Sequence, residues 1–113
     1  MKKTLLITAT IILTGCVSAK FATPSQTDVD RVKTTYPNYT LADLTQGENL
    51  YKQHCGLCHK LQNPTSQTEE GWKKIVPPMV SKCNKKENIT MSTNDQESIL
   101  RYVITMSKAS AKK

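Results

Sequence analysis

Residues 55–59 read Cys-Gly-Leu-Cys-His, and no other five-residue stretch of the chain makes so narrow a chemical demand. On a helix, positions 55, 58 and 59 stand at i, i+3 and i+4, so both thiols and the imidazole project from one face. Two thiols so placed can form thioethers to the two vinyl groups of one porphyrin. The next residue, His59, then offers a ring nitrogen to the iron from the same side. That is the attachment pattern of a c-type haem. A bare Cys-x-x-Cys also serves thioredoxin-like redox pairs and half of a zinc site. Zinc needs two further ligands at matching spacing, and outside the motif the chain offers only Cys16, Cys83 and His54. A thioredoxin-like pair needs alternating strands and helices, and no strand pattern is evident.

A chain of 113 residues is one domain at most. Residues 1–15 read as a signal peptide: Lys2 and Lys3, then a short apolar core from Leu5 to Leu13. Its ending, Leu13-Thr14-Gly15-Cys16, resembles a bacterial lipobox, in which cleavage precedes the cysteine and Cys16 receives lipid; the alternative is an ordinary secretory signal cut elsewhere, for instance after Ala19. Residues 16–25 then form a lipid-attached tether. About nine flexible residues reach roughly 17 Å, which keeps the domain near the surface of a bacterial membrane on its periplasmic side. Without Lys2 and Lys3, fourteen basic and nine acidic side chains remain, a net of +5. This charge suits an acidic protein partner or an anionic surface. It does not suit nucleic acid, because the lysines are scattered rather than striped.

With Cys16 assigned to lipid and Cys55 with Cys58 to haem, Cys83 is left over. Its simplest role is a buried, unreactive thiol; an intermolecular disulfide or an iron ligand are the other options. With one Trp and one Phe, so small a domain has a thin core of its own. A haem is expected to supply the apolar centre, and the haem-free chain to fold poorly.

The haem domain is expected over residues 26–108, with a frayed tail at 109–113. Val29, Val32 and Tyr36 suggest a short helix after a Thr27 cap, ended by Pro37. Tyr39, Leu41 and Leu44 look like anchors of an extended segment. Thr45-Gln46-Gly47-Glu48 has the form of a capping box, so a helix is expected from there into the Cys-x-x-Cys-His motif. Gly47 would let another helix cross closely, with Tyr51 covering the crossing. His54 reads as a partly exposed histidine. Pro64 fixes a loop over residues 60–67, and Thr68 with Glu69 and Glu70 caps the next helix. Trp72, Ile75, Val76 and Met79 form an apolar stripe. Pro77 and Pro78 are expected to end or kink that helix, presenting Met79 from a turn, with residues 81–88 an exposed basic loop. A last helix, capped by Thr93 or Asn94, buries Ile99, Tyr102, Val103 and Met106.

With these residues in place, the chain resembles a small class I-like monohaem cytochrome c over roughly residues 44–106. The likeness is carried by Gly47 with Tyr51, the CGLCH motif, Leu61 and Pro64 after it, Thr68 with Trp72, and Tyr102 in the last helix. It looks especially like bacterial lipoprotein cytochromes. The resemblance implies an all-α fold wrapped around one covalent haem c, with Cys55 and Cys58 as its thioether attachments and His59 as proximal ligand. It also implies a methionine as distal ligand. Met79, which follows a proline as such ligands often do, is the first choice. Met91 is the second, although its place before a helix cap also suits a staple. Met106 belongs to the core stripe. The interval from His59 to Met79 is shorter than the family's usual arrangement.

The function implied is transport of single electrons in the cell envelope, not catalysis. The partners would be an acidic redox protein or a membrane oxidoreductase, steered by Lys52, Lys60, Lys73 and Lys74. The alternatives are an open-site haem protein, sensing gas or acting like a peroxidase, and a haem subunit of a larger oxidoreductase.

Overall fold

The computed structural model describes residues 21–109. The expectations for the signal peptide, for Cys16 and for the last four residues lie outside these. Within them the chain is all-α. Four helices occur in the order α1 (Gln26–Arg31), α2 (Leu41–Cys55), α3 (Glu69–Glu87) and α4 (Thr93–Ser107), with a 3-10 turn at Pro64–Ser66 between α2 and α3.

α4 is the centre of the packing and touches every other element. Its stripe of Ile99, Tyr102, Val103 and Met106 is buried as its spacing predicts, and Ile104 is buried beside it. The helix starts slightly earlier than expected, because the Ser92 hydroxyl accepts the Asp95 N–H at 3.1 Å and takes the cap from Thr93 and Asn94. α2 crosses α4 at Gly47. A Cβ at that position would collide with the Ser98 carbonyl oxygen and stand 2.7 Å from Tyr102 Cβ. Tyr51 covers the crossing as anticipated, with its ring 5.5 Å from that of Tyr102 and edge-on to Trp72 at 6.2 Å. Trp72, Tyr51, Tyr102 and Leu44 are nearly sealed from solvent. These side chains lie at the centre of the packing.

Three local expectations need correction. α1 runs from Gln26 to Arg31 rather than from 28 to 36, because the Asp28 carboxylate accepts from the N–H and hydroxyl of Ser25 at 2.9 and 2.8 Å and starts the helix there. Arg31 ties it to α4 by donating to the Thr105 carbonyl. α2 begins at Leu41, not after Thr45. Thr40 and Asp43 exchange the same pair of capping bonds one turn earlier. The earlier start wins because it adds Leu44, fully buried, to the face that carries Gly47 and Tyr51.

The third correction concerns α3. Thr68 caps it as expected, accepting the Gly71 N–H. The helix then continues through Pro77 and Pro78 to Glu87. Each interior proline costs about 3 kcal/mol relative to alanine, and these two remove the bonds to the Lys73 and Lys74 carbonyls. Both prolines and both lysines lie on the exposed side, where water can serve the freed carbonyls. The opposite side carries Trp72, Val76, Val80 and Cys83, all buried, so packing on both sides of the proline pair holds the helix together. Residues 81–87 are therefore helix rather than loop, and Asn88 ends it in the left-handed conformation at φ 54°.

Candidate functional site

α2 ends at Cys55, and residues 56–59 leave the helix in a turn and bends. The expectation that Cys55, Cys58 and His59 share a helical face is thus met only at Cys55. The short excursion nevertheless brings all three to one place. Cys55, Cys58 and His59 border a single pocket of about 110 Å³, whose other lining residues are Met79, Lys82 and Cys83 from α3.

The excursion is held by specific contacts. Lys86 Nζ donates to the Leu57 carbonyl at 2.7 Å. Tyr51 donates its hydroxyl to the Gln62 carbonyl at 2.6 Å, and Trp72 donates Nε1 to the Pro64 carbonyl at 2.8 Å. Tyr51 and Trp72 thus serve the core with their rings and the site with their polar tips. Pro64 is buried, the fixed point its position suggested.

The two motif cysteines differ in setting. Cys58 is exposed, whereas Cys55 is 6% exposed. Burial, reinforced by the neighbouring Cys83, pushes the Cys55 thiol up to about 12, so it stays protonated at neutral pH. Burial raises the Cys83 thiol as well. His59 is exposed and donates from Nδ1 to the Lys60 carbonyl at 2.9 Å, which leaves Nε2 with its lone pair free for a metal.

Met79 is half-buried on α3 and faces the pocket, although it comes from a helix rather than the expected turn. Met91 is 5% exposed within the core and is not among the pocket residues. Its backbone is fixed by the Asn84 and Gln96 side chains, which accept from its N–H and donate to its carbonyl. Met106 is core.

His54 departs from the expectation of partial exposure. Its ring is buried and hydrogen-bonded from Nδ1 to the Glu87 carboxylate at 2.6 Å, joining the end of α2 to the end of α3. Of the four lysines expected to steer a partner, Lys52 is paired with Glu48 and Lys73 with Glu69, each four residues away on its own helix. The cations beside the pocket are instead Lys82 and Lys86, which sequence reasoning placed in a loop. Helical spacing from Met79 through Lys82, Cys83 and Lys86 carried that signal, and the two prolines masked it.

The donor set fits a c-type haem: two thiols, an imidazole with a free Nε2 and a thioether converge on one apolar-walled pocket. At about 110 Å³ it is below the roughly 300–1,000 Å³ of clefts that enclose small-molecule ligands, so a macrocycle could be met here only at its edge. Among the described residues no three His, Cys, Asp or Glu side chains form a cluster able to hold a metal ion. Comparisons with protein-family models, with curated proteins and with solved structures return no match.

Proposed function

We propose that this chain is a c-type haem protein. Within that class we propose a monohaem, class I-like cytochrome, anchored through lipid on Cys16, that carries single electrons at the periplasmic face of a bacterial membrane. One observation carries the reading: Cys55, Cys58, His59 and Met79, from opposite sides of a 20-residue gap in sequence, meet at one pocket.

Cys55 and Cys58 would hold the group through thioethers, and His59 Nε2 with the Met79 thioether would be the protein's ligands to its iron. Haem c so ligated supplies reversible one-electron chemistry, and a thioether ligand raises its potential. The chain's own residues set the conditions. The His59–Lys60 hydrogen bond orients the imidazole and fixes its tautomer. Tyr51, Trp72 and Lys86 keep the motif loop in position. Lys82 and Lys86, with exposed Lys60 next to His59, favour an acidic redox partner, an effect felt chiefly in the association rate.

The test is expression with c-type maturation, followed by spectra of both oxidation states. The expected result is a six-coordinate haem whose sulfur-to-iron band disappears in Met79→Ala and persists in Met91→Ala. A five-coordinate reduced haem that binds carbon monoxide readily would overturn the carrier reading in favour of an open site.

A further inference from the structure

Three thiols border the pocket, and the haem reading uses two of them. The third, Cys83, comes from α3 and is 4% exposed. Its sulfur lies 3.2 Å from the carbonyl oxygen of His54, the residue immediately before Cys55. This contact sets Cys83 Sγ against the end of α2, and Cys55 and Cys83 line the same pocket. Both thiols are free and buried, whereas Cys58 is exposed. Of the two other thiols at the pocket, Cys83 on another helix therefore shares the buried setting of Cys55, and the motif partner Cys58 does not.

A lone buried cysteine is most simply a small apolar side chain. Two buried free thiols from different helices at one pocket are something more, because a disulfide asks only that their Cβ atoms come within about 4.5 Å. We propose that Cys55 and Cys83 form a disulfide in the haem-free chain, linking α2 to α3 and withholding Cys55 from haem until the bond is reduced. The pairing stands on the geometry; its consequence for haem rests on the function proposed above.

The bond forms by exchange with a disulfide oxidant. One protein thiolate attacks the oxidant and displaces one thiol. The second protein thiol then attacks the mixed disulfide and displaces the other. Two protein thiols and one oxidant disulfide give one protein disulfide and two oxidant thiols, with both protons passing to the leaving thiolates. A dithiol reductant reverses the exchange and returns the Cys55 S–H, which can then add across a vinyl group.

The test uses the full-length, haem-free chain carrying Cys16→Ser, equilibrated with oxidised glutathione, blocked and digested with trypsin without reduction. Cleavage at Lys60, Lys82 and Lys85 puts Cys83 on a peptide separate from Cys55 and Cys58. The expected product is a cross-link between the two peptides that survives Cys58→Ser and falls at least tenfold in Cys55→Ser. During maturation, Cys83→Ser should take up covalent haem at several-fold lower reductant concentration. A Cys55–Cys58 bond with Cys83 freely alkylated, a cross-link that survives Cys55→Ser, or a random mixture would each overturn the pairing. A cross-link that forms as expected in a chain that never acquires haem would contradict the function and leave the pairing standing.

Discussion

Around Gly47, α2 and α4 meet with backbone against side chain and no room for a single added carbon. About two turns further along the same helix, α2 stops at Cys55 beside a pocket rimmed by three free thiols and an exposed imidazole. The first region is closed by Tyr51, Trp72 and Tyr102 and needs nothing more to be complete. The second gathers thiols, a thioether and an imidazole, of which Cys55 and Cys83 are buried and Cys58 and His59 are exposed. One helix thus carries a tightly closed crossing and, at its end, a partly open pocket. Tyr51 and Trp72 connect them, since each buries its ring in the first region and hydrogen-bonds the loop of the second.

The methionines test this separation most strongly. Met91→Ala opens a cavity in the core and should cost about 3 kcal/mol of stability, while the haem spectrum stays unchanged. Met79→Ala, at a half-buried position, should cost about 1 kcal/mol and abolish the sulfur-to-iron band. Denaturant unfolding and visible spectra on both variants check the pair. If the two exchanged phenotypes, the division would fail.

Gly47→Ala should come next. Alanine improves helix propensity by about 1 kcal/mol, but its methyl meets the Ser98 carbonyl and Tyr102. Overpacking of this kind typically costs about 1–3 kcal/mol, and with the Ser98 backbone unable to yield, the upper end should prevail and leave about 2 kcal/mol net destabilisation. Chemical denaturation measures it. A neutral or stabilising result would show that the crossing is looser than described.

A further effect is on pH. Burial pushes the hydroxyls of Tyr39 and Tyr51 from 10.0 up to about 12, and that of Tyr102 also upward. The folded chain keeps protons that the unfolded chain releases first. This contribution to stability is therefore fully present below pH 10 and is lost as pH rises through about 12. The melting temperature should fall by about 5 °C or more between pH 9 and pH 11. The buried thiols of Cys55 and Cys83, also raised by burial, add to the same loss, so Cys55→Ser and Cys83→Ser should each make the fall smaller without removing it.

The parts that periodicity governs were legible in the sequence. The α4 stripe, the Trp72–Val76 stripe, the Thr68 cap and the Gly47 crossing follow from residue spacing and size. Choices between competing local signals were not. Thr40-x-x-Asp43 and Thr45-x-x-Glu48 are both caps on paper, and only the burial of Leu44 decides between them. Pro77 and Pro78 argue locally for a break, and only tertiary packing on both sides of them overrides it. In the site, Cys55, Cys58 and His59 stand out by type and spacing, while Met79 comes only from what the resemblance implies. The His54–Glu87 and Cys83–His54 bonds do not stand out, because they join residues about 30 positions apart on different helices.

The central claim is that the open end of α2 carries a covalent haem. Its most direct test is the mass and the alkaline pyridine spectrum of the chain purified after expression with c-type maturation. The account predicts one haem per chain, resistant to acid-acetone extraction, reduced to a single thioether in Cys55→Ala or Cys58→Ala and absent when both are changed. A chain that matures without any covalent haem, under conditions that load another c-type protein, would contradict it.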